Sequence, residues 1–216
     1  MHQAMATPAP GPTRMTASER REQLLDVTKA IVAENGFHAV SIEAVAREAG
    51  ITRPIVYGHF KDLQGLLEAL VEREGERALG QLAKFLPVDL GRGDPREQLL
   101  AGLRGYLEAV QGDPDTWRLV LMPPEGAPEI LRERIASGRA AVVSQLTQAL
   151  RPGIGPDRES PDPEVTARML SAVSDEAARL VLTDPETYPP ERLLSHARWW
   201  LEQLPAGPRV ERASPS

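Results

Sequence analysis

The stretch from Ser41 to Phe60 leaves the backbone few choices. Ser41 is placed to cap a short helix whose apolar positions, Ile42, Val45, Ala46 and Ala49, recur at helical spacing, and Gly50 supplies the left-handed residue that ends it. Thr52 is then placed to cap a second short helix. Pro54 falls in that helix's first turn, where a missing N–H costs little, and Val56 and Phe60 lie four apart on one face. Two short helices about a tight Gly-containing turn, the second carrying Arg53, Tyr57 and His59, form a helix-turn-helix pattern.

The preceding segment reads as a supporting helix. Ser18 is its expected cap, with Arg21 where a capping box wants Glu or Gln. Leu24, Leu25, Thr28, Ile31 and Val32 form its apolar stripe, and Asn35-Gly36-Phe37 resembles a helix end. With Leu66 to Val71 downstream, the whole resembles the DNA-binding domain of the tetracycline-repressor (TetR) family of bacterial transcription regulators. The residues that carry the resemblance are Gly36-Phe37, Ile42, Val45-Ala46, Ala49-Gly50-Ile51-Thr52, Tyr57, His59-Phe60 and Leu66. One position departs: the family usually has a lysine three residues after the His-Phe pair, where this chain has Leu63, with Lys61 two residues earlier.

The resemblance implies an all-α chain of about nine helices. Its expected parts are a disordered arm (1–16), a helix-turn-helix DNA-binding domain of three helices (17–62), a helical ligand-binding and dimerisation domain (63–205) and a disordered tail (206–216). It implies double-stranded operator DNA and a small-molecule effector as partners, action as a homodimer, and most simply repression of a pseudo-palindromic operator that the effector relieves. The expected DNA contacts are Ser41, Thr52, Arg53, Pro54, Ile55, Tyr57, His59 and Lys61. Arg53 suits bidentate bonding to guanine, and Thr52 suits a phosphate or a thymine methyl.

Net charge argues less clearly for DNA. The chain carries a formal charge of −6. From Arg14 to Asp62, however, the basic residues Arg14, Arg20, Arg21, Lys29, Arg47, Arg53 and Lys61 balance Glu19, Glu22, Asp26, Glu34, Glu43, Glu48 and Asp62, so the acidic excess lies further on. A neutral head predicts modest non-specific affinity. The 216 residues are 41% hydrophobic, enough for a sizeable core, and contain no cysteine, which excludes disulfides and thiolate chemistry. No apolar run approaches the roughly 18 residues of a membrane span, and Met1 to Met15 has no signal-peptide centre; a cytoplasmic protein with no membrane partner is expected.

Beyond Phe60, Asp62 is placed to cap a long fourth helix running through Leu63, Leu66, Leu70, Val71, Leu79, Leu82 and Leu86, which Gly65, Gly75 and Gly80 interrupt as a hinge or as points of close packing. Prolines punctuate the remainder into helices over 96–111, 114–122, 127–150, 163–183 and 189–204, with a loop over 151–163. Tyr106, Trp117, Leu121 and Met122 are the large or adaptable side chains of the region where the family's ligand cavities lie. Ala172, with small neighbours, and Leu193, Ala197, Trp200 and Leu204, at steps of four, three and four, are the candidate dimer contacts.

No enzyme signature emerges. His2, His38, His59 and His196 lack metal-ligand spacing, no serine sits in a nucleophile elbow, and phosphate-loop and dinucleotide fingerprints are missing, so neither a catalytic site nor a cofactor is expected. Asp175 is expected to pair with Arg179 one turn on. Two other readings stay open on residues alone: a helical small-molecule-binding protein whose head has weak or lost DNA binding, and a small helical enzyme.

Overall fold

The computed structural model describes residues 15–91, 93–124, 126–151 and 162–203. The described residues form nine α-helices, one short 3-10 helix and no strands. In chain order these are α1 (Ala17–Asn35), a 3-10 turn (Phe37–Ala39), α2 (Ile42–Glu48), α3 (Arg53–His59), α4 (Leu63–Leu82), α5 (Pro95–Gly112), α6 (Pro114–Leu121), α7 (Glu129–Leu150), α8 (Pro163–Thr183) and α9 (Pro190–Gln203). The expected arm and tail fall almost wholly outside the described residues, as does Leu204 and most of the loop over 151–163.

Helix boundaries follow from caps and prolines. Pro95, Pro114, Pro163 and Pro190 each occupy the first position of a helix, where their fixed φ is already helical and no N–H is needed. Asp62, Asp94 and Asp162 accept backbone N–H bonds from Gly65, Arg96 and Val165 at the starts of α4, α5 and α8. The start of α1 differs from expectation. Its cap is Thr16, two residues before Ser18, and the third helical residue is then Glu19: Glu19 N–H donates to the Thr16 hydroxyl at 3.2 Å, and Thr16 N–H donates to the Glu19 carboxylate at 2.7 Å. This completes the capping box that a Ser18 start would leave unfinished. The fourth helix also ends at Leu82 rather than Leu86. Phe85 turns back there and its ring lies where a Cβ on Gly105 would be, so α5 carries a glycine facing that ring.

Apolar faces merge these helices into a continuous body. Leu24, Leu25 and Val32 of α1 meet Val45 of α2, Val56 of α3 and Leu66 and Leu70 of α4, and the same cluster continues through Leu119, Ala127 and Leu131 toward α6 and α7. A second cluster joins Tyr106, Leu107 and Val110 of α5 to Trp117, Ala178, Val181 and Leu194. A third ties Leu90, whose N–H donates to the Ala149 carbonyl at 3.1 Å, to Val143, Leu146 and Ala167. The three-helix head therefore shares its apolar cluster with the helices that build the rest of the molecule.

Polar groups are buried at that junction. Lys29 of α1 reaches Asp113 Oδ1 at 2.8 Å and Glu74 Oε2 at 3.1 Å, and it donates to the Thr116 hydroxyl at 2.6 Å. Thr116 in turn donates to Glu74, whose other oxygen takes Arg73 at 2.8 Å. Burial would push the Glu74 carboxyl up, but the Thr116 hydroxyl and the Lys29 and Arg73 charges outweigh it and hold it below the ordinary glutamate range.

Candidate nucleic-acid interface and internal cavities

The helix-turn-helix forms as the residues require. Ala44 N–H donates to Ser41 Oγ at 3.0 Å, opening α2. Gly50 sits at φ 65° and lets Ile51 N–H reach back to the Ala46 carbonyl at 2.9 Å, closing the turn. Val56 and Phe60 are buried against α1, and Arg21 lies 4.6 Å from the centroid of the Phe60 ring. Burial of those two positions fixes which side of α3 faces outward.

Thr52 holds the N-cap position but makes no capping bond with its side chain. The reason is local: Pro54 has no N–H at the second helical position, and the Ile55 N–H at the third is taken by the Thr52 carbonyl at 3.0 Å. The hydroxyl is left exposed beside Arg53. Arg53, Pro54, Ile55, Tyr57 and Lys61 are likewise exposed, while Ser41 and His59 are half-buried. Ile55 and Tyr57 keep 42% and 51% of their surface on the side of α3 away from the core. Leu63, at the position where the resemblance expects lysine, packs on the head core instead. The sequence reading missed one contact: Arg53 Nη1 pairs with Glu43 Oε1 of α2 at 2.8 Å, across a separation that no helical spacing rule covers.

Two cavities lie behind the head. The first, about 830 Å³ counting its mouth, is bounded by α4, α5, α6, α7 and α8. Tyr106, Trp117 and Leu121 line it, whereas Met122 packs on the same apolar cluster without reaching it. Trp117 is fixed by its indole N–H donating to Gln81 Oε1 at 2.8 Å and by edge contact with Tyr106 at 5.0 Å between centroids. Tyr106 OH donates to Asp175 at 3.2 Å. Burial first, and then the Asp175 charge, push the Tyr106 phenol far above its ordinary value, so it stays protonated. Asp175 does not pair with Arg179. It takes Arg139 of α7 at 3.0 Å, and Arg179 pairs with Glu176 one turn back and donates to the Leu121 carbonyl. The second cavity, about 840 Å³ on the same measure, lies between the end of α4 and helices α5, α7, α8 and α9.

The outer faces of α8 and α9 carry exposed apolar side chains. Val165, Met169 and Val173 recur every four residues along α8, and Trp199 and Trp200 lie on α9. Ala172 is exposed beside them, whereas Leu193 packs partly on its own chain's core and Ala197 lines the second cavity. Among the described residues no group of acidic or histidine side chains is arranged to hold a metal, and no helix is long and apolar enough to cross a membrane.

Comparison with known proteins agrees with this architecture. Residues 24–70 match the family model described as bacterial regulatory proteins, tetR family, and residues 95–204 match the one described as tetracyclin repressor-like, C-terminal domain. The chain is 39% identical over 92 residues to the HTH-type transcriptional regulator BetI of Yersinia pestis, covering 43% of this chain and 46% of that protein. It is 26% identical over 107 residues to the HTH-type transcriptional activator FasR of Mycolicibacterium smegmatis, covering 50% of this chain and 48% of FasR. The chain thus spans about half the length of these relatives. Among solved structures it resembles SmeT, the repressor of the Stenotrophomonas maltophilia multidrug efflux pump SmeDEF, with 27% identity and a TM-score of 0.63 over 86% of this chain and 88% of that one. A complex of SmeT with triclosan aligns at 25% identity and a TM-score of 0.66, over 91% and 99% of the two chains. Matches to two family models, one over residues 24–70 and one over residues 95–204, leave one assignment: the chain belongs to the TetR family of transcriptional regulators.

Proposed function

We propose that this regulator is a repressor that acts as a homodimer on a pseudo-palindromic operator and is released when a small molecule fills the first cavity. The observation that carries the DNA half is the outward face of α3, where Thr52, Arg53, Ile55 and Tyr57 stay exposed because Val56 and Phe60 occupy the core. Arg53 reads a guanine edge, Tyr57 and Thr52 take backbone or a thymine methyl, and Pro54 and Ile55 give an apolar edge. Ser41, His59 and Lys61 flank them toward the phosphates. The head, 17–62, supplies these contacts, and the helices of 63–205 supply cavity and dimer, in the cytoplasm where the operator lies. Two heads one helical turn of DNA apart need a twofold axis, and the apolar residues on α8 and α9 are the surface available to form it.

Release follows from how the head is attached. Glu74 both lines the first cavity and bonds Lys29 of α1, so a ligand that moves α4 acts on the helix against which α3 is packed. A change in head spacing then mismatches successive major grooves. SmeT, similar along nearly this whole chain, is described as a repressor and forms a complex with triclosan, which supports both halves of the reading. The test is retention of DNA from the gene's own upstream region. Arg53→Ala is expected to weaken binding by about 1–3 kcal/mol and to relax specificity at one position. No salt-dependent retention by the wild type would instead identify a ligand-binding protein whose head no longer reads DNA.

A further inference from the structure

We infer that Arg47 of α2 and the Thr52 hydroxyl together seat one backbone phosphate of bound DNA. The assignment rests on the proposed reading of a duplex by the outward face of α3. Arg47 lies off that face, on the other helix of the pair.

Position comes first. Glu43, Arg47, Thr52, Arg53 and Pro54 line one open recess where α2 meets the start of α3. Arg47 therefore stands on the side of α2 that adjoins Thr52 and Arg53. When the second helix of such a pair enters the major groove with its N-terminal residues at the base edges, the first crosses the sugar-phosphate backbone. The exposed α2 side chains that share a recess with Thr52 and Arg53 are thus set against phosphate rather than against bases. There are two of them, Glu43 and Arg47, and only Arg47 carries the charge a phosphate attracts.

Availability comes second. Glu43 stands four residues before Arg47, the spacing at which a carboxylate and a guanidinium pair along one helix. Glu43 turns instead to Arg53 at 2.8 Å. The exposed Arg47 side chain then has no hydrogen bond or ion pair among the described residues. Other cations of the head are committed: Lys29 is buried at the junction with Glu74 and Asp113, and Arg21 lies over the Phe60 ring. The Thr52 hydroxyl is in the same state as Arg47, exposed and without a capping bond. A phosphate oxygen takes a charge-assisted bond from the guanidinium and a second bond from the hydroxyl, and neither donor has to leave another partner.

The experiment measures binding of two fluorescent duplexes by anisotropy, one from the gene's own upstream region and one of equal length and scrambled sequence. Salt is varied between about 50 and 200 mM, with the scrambled duplex compared at the low end. Each phosphate neutralised adds about 0.9 to the slope of log affinity against log salt, which amounts to roughly eightfold at about 0.1 M relative to 1 M. Arg47→Ala should flatten the slope by about 0.9 and weaken both duplexes alike. Arg47→Lys should keep the slope. Thr52→Val keeps the shape and any contact with a thymine methyl but loses the hydroxyl; it should weaken both duplexes severalfold at an unchanged slope. Arg53→Ala, by contrast, should lose more on the upstream duplex than on the scrambled one. An Arg47→Ala slope equal to that of the wild type would overturn the seat and leave the reading of DNA by α3 intact. A lowered melting temperature with both affinities held would overturn it in the same way, since Arg47 would then serve only the last turn of α2. A loss confined to the upstream duplex would overturn it as a base contact, and Thr52→Val equal to wild type would overturn the paired seat. Wild-type protein that retains neither duplex would overturn the seat and the DNA reading together.

Discussion

Replacing Lys29 by Met removes one charge from the junction between head and body while keeping an unbranched stem of similar reach. Lys29 is only 9% exposed, and its ammonium serves Glu74, Asp113 and Thr116 together. Removing one member of a buried ion pair costs about 3–5 kcal/mol, because the partner is left charged in a poor solvent. Here the lower end applies. Glu74 keeps Arg73 on its other oxygen, and Asp113 keeps Arg77 at 3.7 Å, so neither carboxylate is stranded. About 3 kcal/mol in a chain of this size corresponds to a fall of roughly 6–12 °C in Tm. The assay is urea and thermal denaturation at fixed protomer concentration, with Glu74→Leu and the double variant completing a cycle. The cycle should show coupling of about 1–3 kcal/mol, the double variant being less destabilised than the single losses summed. Acid gives an independent check. Glu74 and Asp113 are both held below their ordinary values in the folded chain, so their contribution is complete above those ordinary values and is lost as pH falls through the depressed ones. The Lys29→Met variant should therefore lose less stability than the wild type between neutral pH and the acid side of 4.5, the ordinary glutamate value. A Lys29→Met chain within about 0.5 kcal/mol of wild type, or a strictly additive cycle, would refute the assigned network.

Other outcomes follow from single contacts. Gly105→Ala places a Cβ 2.0 Å from the Phe85 ring and should cost about 1–3 kcal/mol by denaturation, a loss that Phe85→Leu in the same chain should largely recover. Met169→Glu, at a position 64% exposed on α8, should leave the helical circular dichroism and its melting intact while light scattering reports the mass of a single chain; an unchanged dimer would remove α8 from the interface. Arg53→Ala should weaken promoter retention without altering stability, since its pair with Glu43 is solvent-exposed.

Which features were legible in the sequence follows from the range of the forces involved. Caps, prolines and apolar spacing act within a few residues, and they placed α8 at Pro163–Thr183 and the other later helices to within a residue or two. Even there competition mattered: Ser18 is a good cap, but Thr16 pairs with Glu19, and two reciprocal bonds outweigh one. Long-range polar pairing left no trace in the spacing. Lys29 sits beside the apolar stripe of α1 and looks like a solvated residue until α6 brings Asp113 and Thr116 across it. Arg139 likewise takes Asp175 from Arg179, because α7 packs directly against α8. Tyr106, Trp117 and Leu121 could be named from size alone, but Arg134, which also lines the first cavity, could not: a charged residue on a helix is ordinarily solvated, and only the packing of α7 against Gly75 buries its Nε.

The ion pair between Arg53 and Glu43 bears on how such a protein would search a chromosome. On the proposed reading, Arg53 on random duplex DNA would exchange one anionic partner for another and leave Glu43 facing phosphates, so the exchange would gain little. A guanine edge offers two acceptors in a plane without adding a negative charge beside Glu43, which tilts the exchange toward the right base. If Arg53 reads a guanine as proposed, the pair would act as a resident competitor of the small size expected for a solvent-exposed ion pair, about 0–1 kcal/mol. A head of near-zero net charge would leave random DNA quickly and owe its occupancy of the operator to the ratio of the two affinities rather than to the strength of either.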